Sequence, residues 1–262
     1  MIYSGFPYVA LLMQILIGTQ ENALLYAAII NLVLIITLWR YPEWYIVNLV
    51  GILVGAGVIT MIGISFVPTL IIIFMIIAAI YDHWAVNGSK HMLELADTMI
   101  DLKLPILLVA PKEKGYSFLD EQEGVMEKTV TKPTQEDWDD PKIAAVKVEK
   151  SGRDALFMGL GDVIFPGMLV ISSISFLPQT GPVLGSLPMT SFFGWIHLDA
   201  LMVGMGTLFG GLIGYFGLMT QVAKGKPQAG LPLLNGGSIL GYFITGIIVY
   251  GPSELIQQIS LF

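Results

Sequence analysis

FVPTLIIIFMIIAAIYDHW, residues 66–84, is an apolar run long enough to cross a hydrocarbon layer about 30 Å thick, yet near its end it carries an acid, Asp82. A second run, ALFMGLGDVIFPGMLVISSISF at residues 155–176, holds Asp162. An ionised carboxylate in hydrocarbon costs roughly 3 kcal/mol even on lenient insertion scales, so such groups face a protein interior or water and serve a function. Of the 20 acidic residues in the chain, these two are the most deeply embedded.

Working outward, the composition agrees with a bilayer setting. The 262 residues are 55% hydrophobic and only 13% charged, with mean hydropathy +0.75. A soluble domain would carry about a quarter charged residues. The absence of cysteine excludes disulfide and thiolate chemistry. Three scattered histidines form no zinc motif, so neither a metal nor an organic cofactor is expected. A net charge of −7 argues against nucleic acid as a partner. The first apolar stretch, Gly5–Gly18, lacks a basic flank and a clear cleavage site, and is read as a marginal span rather than a signal peptide.

Windows of about 19 residues place spans near 5–18, 23–39, 46–64, 66–84, 155–176, 195–219 and 231–250. The expected fold is therefore an all-α polytopic membrane protein of about seven transmembrane helices. Three regions follow: residues 1–86 with the first acid, a polar loop over 87–153, and residues 154–262 with the second. With this count, all 13 lysines and arginines fall on one side, including Arg40, Lys90, Arg153, Lys224 and Lys226 close to membrane ends. That side is the cytoplasmic one. Within the loop, residues 89–103 carry Met92, Leu95, Ala96, Met99 and Leu102 on one stripe, an amphipathic helix. Pro105–Pro111 is too short to span and suits a strand, and residues 112–150 read as a mobile acidic linker.

Asp82 lies eight residues before Lys90, and Asp162 nine residues after Arg153. On helices, each carboxyl would sit about 12–14 Å from its nearest cytoplasmic cation, at matching depth on consecutive antiparallel spans. No span holds a Lys or Arg to neutralise either acid. Two carboxyls brought together in a poorly solvated site share one proton, so that one member can take a proton from water while the other polarises a carbonyl.

Tyr81-Asp82, Gly159-Leu160-Gly161-Asp162 and Gly230-Leu231-Pro232 followed by Asn235-Gly236-Gly237 resemble the YD, GxGD and PAL motifs of the presenilin and signal-peptide-peptidase family, and its archaeal members in particular. The resemblance implies an intramembrane aspartyl protease with Asp82 and Asp162 catalytic. It further implies that Tyr81, Gly159, Gly161, Gly230, Leu231 and Pro232 line the substrate, which would be a transmembrane helical peptide or a signal peptide. It places the protein in the cell membrane with a cytoplasm-facing active site, and leaves room for a homo-oligomer. Two departures stand out. The family has nine spans, so the first two are expected to be missing, and Ala229 occupies the position of the first motif proline.

The residues also permit simpler roles. Gly159 and Gly161 allow another backbone to approach Asp162, and Tyr81 equally suits an interfacial aromatic belt. His83 points about 100° away from Asp82 on a helix. His197 and Asp199 are expected as interfacial polar residues on the outer side, and Gly206, Gly210 and Gly214 as a helix-packing stripe. From another functional class, an ion- or proton-coupled transporter or channel could use the same two acids. Against it, no repeated half or pair of broken helices is present.

Overall fold

The computed structural model describes residues 20–88, 107–111, 155–183, 197–222 and 230–253, with 9, 10, 13 and 255 besides. In chain order the elements are α1 (Gln20–Arg40), α2 (Trp44–Gly63), α3 (Pro68–Gly88), β1 (Leu107–Pro111), β2 (Ala155–Gly159), α4 (Leu160–Phe176), α5 (Leu198–Val222) and α6 (Leu231–Tyr250). Among the described residues, four helices are long and apolar enough to cross a membrane: Trp44–Gly63, Pro68–Ala85, Leu198–Gln221 and Leu231–Tyr250. Leu24–Arg40 and Leu160–Phe176 are shorter apolar helices. The expectation of seven spans is thus not reached among the described residues; the stretch 5–18 lies almost wholly outside them, as do the amphipathic stripe at 89–103 and the linker at 112–150. The helices expose large apolar side chains such as Ile77, Ile213, Phe216, Leu240 and Ile248, which suits lipid as the surrounding solvent. This is a mostly helical, polytopic membrane protein.

The all-α expectation needs one correction. Residues 155–176 do not form a single helix: Ala155–Gly159 is a strand, and the helix starts at Leu160. β2 pairs antiparallel with β1 in the register Leu107↔Gly159, Val109↔Phe157 and Pro111↔Ala155. A short apolar run of five residues continuous with an apolar helix gives no periodicity to separate the two. The matching depth expected from helical rise does not carry across Ala155–Gly159, because a strand rises about 3.3 Å per residue.

The chain divides into two compact units. The first comprises Met1–Val54 and Lys90–Leu160. In it the Asn48 amide seizes the backbone of β1, donating from Nδ2 to the Val109 carbonyl at 2.7 Å and accepting the Val109 N–H at 2.8 Å. One side chain from α2 thereby satisfies both polar groups of a strand residue whose side chain is buried.

The second unit comprises Gly55–Ser89 and Gly161–Phe262. Its core gathers Ile71 and Met75 of α3, Met168 and Leu169 of α4, Ala200 and Val203 of α5, and Tyr242 of α6. The turn into α3 is tied down by Ser172 of α4, whose hydroxyl donates to the Phe66 carbonyl at 2.6 Å. Pro68 opens α3 where its missing N–H would be unpaired in any case. α5 and α6 meet along a glycine seam. A Cβ on Gly210 would press on the Gly237 carbonyl, one on Gly237 on the Gly210 carbonyl, and one on Gly214 on the Leu233 carbonyl. The stripe predicted from Gly206, Gly210 and Gly214 is therefore a close backbone-to-backbone contact, and it holds the first turns of α6 in place.

Candidate active site

Three chain segments of the second unit converge here. Asp82 sits on the inner face of α3 and is 7% exposed, whereas its neighbours Tyr81, His83 and Trp84 are exposed. Asp162 lies in the first turn of α4, directly after the strand-to-helix change at Leu160. The third segment is the start of α6, where Gly230 is the N-cap residue in right-handed helical geometry (φ −78, ψ −44).

The start of α6 touches both acids. Its first N–H groups have no intrahelical acceptor, and Gly230 has no side chain to cap them. The Leu231 N–H donates instead to Asp82 Oδ2 at 3.0 Å. Asp82 thus acts as the helix cap from another helix, with its charge set favourably against the positive end of the α6 dipole. Pro232 supplies no N–H at the next position and so leaves no further orphan donor there. A Cβ built on Gly230 would lie 3.4 Å from Asp162 Oδ2 and 3.4 Å from Leu218 Cδ2. The N-terminus of α6 thus lies against both carboxyls. Two carboxyls gathered at one place in a low-dielectric setting are able to share a single proton.

The remaining predicted site residues fall in different surroundings. Gly161 is exposed, and a Cβ there would meet no atom of the described residues within 4 Å, so among them it leaves open room beside Asp162 rather than admitting another backbone. Gly159 ends β2 opposite Leu107. Tyr81 is 66% exposed and lies against Trp84, ring centroids 6.3 Å apart. Pro232 lines an open groove of about 330 Å³ between α3 and α6, together with Ile76, Ala79, Ile80, His83 and Asn235. Ala229 lies outside the described residues. His197 and Asp199 are engaged in the turn between α4 and α5. Thr180 Oγ1 donates to Asp199 Oδ2 at 2.8 Å, and Gly181, at φ +79, sits against the Asp199 carboxylate where a side chain would be both strained and blocked.

One residue escaped the sequence reading although its signal was plain. Pro166 lies inside α4, four residues after Asp162. A helical N–H at 166 would bond the Asp162 carbonyl; proline has none, and its ring crowds that same carbonyl. The turn bearing Asp162 is consequently less tightly held than the helix behind it.

With this geometry in view, comparison with known proteins is informative. Residues 2–251 match the family described as signal-peptide peptidase, presenilin aspartyl protease. Among solved structures, the chain is similar to a presenilin family intramembrane aspartate protease, at 24% identity and a TM-score of 0.48, over 92% of this chain and 69% of that one. No curated protein sequence matches significantly. Because the family match spans nearly the whole chain, this protein belongs to the signal-peptide peptidase and presenilin family of aspartyl proteases.

Proposed function

We propose that this protein is an endopeptidase that hydrolyses peptide bonds inside transmembrane helices, with Asp82 and Asp162 as its catalytic pair. The observation that carries the proposal is the start of α6, whose Leu231 N–H bonds Asp82 while Gly230 abuts Asp162. In this reading the two carboxyls hold one proton between them. The ionised member takes a proton from water, and the oxygen attacks the scissile carbonyl carbon. The protonated member donates to the carbonyl oxygen as the tetrahedral intermediate forms. The acid that took its proton from water then passes it to the amide nitrogen while the other recovers one from the diol hydroxyl, so the C–N bond breaks and the pair is again singly protonated.

Helical peptide bonds are shielded, so the substrate must unwind before it can be cut. Gly230, Leu231 and Pro232 would shape the unwound strand beside the acids, pairing with it by strand addition. The open room at Gly161 would admit it, and Tyr81 would meet it from the lipid side. Suitable substrates are single-span helices and signal peptides in the cell membrane, cut in a cavity open to the cytoplasm. The concentration of lysine and arginine on one predicted side supports that orientation.

The test is incubation of the purified protein with a single-span peptide, comparing wild type with Asp82→Asn and Asp162→Asn. Both variants are expected to lose cleavage. Cutting at the wild-type rate by both would defeat the proposal, and ion flux in proteoliposomes that needs either acid, without cleavage, would make the chain a transporter.

A further inference from the structure

Asn235 is buried in α6, 1% exposed, and its Nδ2 donates to the Met75 carbonyl of α3 at 2.9 Å. Its Oδ1 is equally buried and has no hydrogen-bond partner among the described residues. The amide orientation follows from the contact, since the reverse would set two acceptors against each other. A buried acceptor left unpaired is destabilising, and a leucine of similar size would carry no such penalty. Stability alone does not account for an asparagine here.

What it does account for is register. On α3, Met75 and Asp82 are seven residues apart, two turns along one face; on α6, Leu231 and Asn235 are four apart, one turn along one face. The helices therefore carry two cross-links on facing stripes, Asp82 to Leu231 and Met75 to Asn235. Between the helices the groove is lined mainly by apolar, non-directional groups, Ile76, Ala79 and Ile80 on α3 and Gly236 and Ile239 on α6, with His83 the other polar side chain besides Asn235. Such surfaces slide, and a slip of one residue moves a helix by about 1.5 Å and turns it by about 100°. A lone asparagine in an apolar helix seam fixes register at some expense of stability.

We infer that Asn235 is a positioning residue: by clasping Met75 it locks α6 against α3 so that the Leu231 N–H stays on Asp82. The inference rests on the protease reading above, but its structural half can be measured without activity. The chain has no cysteine, so single nitroxide labels can be introduced at Ile77 and Leu240, which are 58% and 63% exposed and lie on the two helices.

In the labelled background, Asn235→Leu should fold and melt no lower than wild type, yet show a shifted or broadened label-to-label distance. Its kcat should fall about 10- to 100-fold with KM within about twofold, the scale of a misplacement near 1 Å. Asn235→Gln keeps the amide and has the open groove for its extra methylene, so it should recover most of kcat and the original distance. If Asn235→Leu does not accumulate as folded protein, Asn235→Ala carries the same measurements. An unshifted distance distribution, or an unchanged kcat in the leucine variant, overturns the inference. Asp82→Asn separates the two claims. If that variant still cuts, the protease reading fails; if it is dead while Asn235→Leu is fully active, only the role of Asn235 fails.

Discussion

The backbone N–H of Leu231 rests on the carboxylate of Asp82 at 3.0 Å, joining chain segments 149 residues apart. This bond makes an acid embedded in an apolar helix tolerable, because the start of another helix supplies the donor that lipid cannot. It also means that whatever holds α6 in place sets the geometry of the acid.

The glycine seam is the first such support. Gly210→Ala would push a methyl against the Gly237 carbonyl and to 3.0 Å from the Gly241 Cα, both backbone groups that cannot turn aside. Overpacking of this kind costs about 1–3 kcal/mol. The variant should melt several degrees lower and cleave more slowly, whereas Gly217→Ala, with nothing within 4 Å, should melt as wild type does. Thermal unfolding in one detergent compares them.

Size at position 230 should separate folding from catalysis. An alanine methyl would sit at ordinary contact distance, 3.4 Å from Asp162 Oδ2, and the backbone angles suit it. Gly230→Ala should therefore fold and keep its rate within about threefold, well under 1 kcal/mol. Gly230→Val would push its branch into the space between the acids and should lose about 100-fold or more in kcat/KM. A fully active valine variant would show that the substrate does not pass this point.

Replacing Pro166 by alanine returns an N–H to the Asp162 carbonyl and removes a helix-interior proline worth about 3 kcal/mol. Greater stability with slower cleavage is the expected pairing, as the turn bearing Asp162 stiffens. Melting temperature and kcat measured on one preparation decide it, and a variant that is both less stable and unchanged in rate refutes the role given to the proline.

A shared proton has a signature in pH. Below the lower apparent pKa of the pair neither acid can act as base, and above the upper one neither can donate to the carbonyl oxygen. Cleavage should follow a bell, and a flat profile from roughly pH 4 to pH 9 would contradict the mechanism.

How much of this was legible in the chain follows from the kind of signal each feature leaves. Asp82 and Asp162 stand out because charge in an apolar run is rare, and the Gly206, Gly210 and Gly214 stripe because small residues recur every four. The strand at Leu107–Pro111 was half visible, fenced by Pro105 and Pro111. Its partner Ala155–Gly159 was hidden, since its residues are as apolar as the helix they lead into. The bond from Leu231 to Asp82 leaves no trace at all, because a backbone N–H belongs to every residue but proline. Asn48 stood out only as an isolated polar residue and Asn235 only as part of a motif; their partners, Val109 and Met75, are backbone groups far along the chain.

The most direct test of the central claim, that Asp82 and Asp162 work as one unit, is a double-mutant cycle on cleavage of a single-span peptide. Residues acting as a unit are non-additive, so Asp82→Asn, Asp162→Asn and the double variant should all fall to the same residual rate. A double variant slower than either single by the product of their separate losses, or a single variant that cuts like wild type, would contradict it.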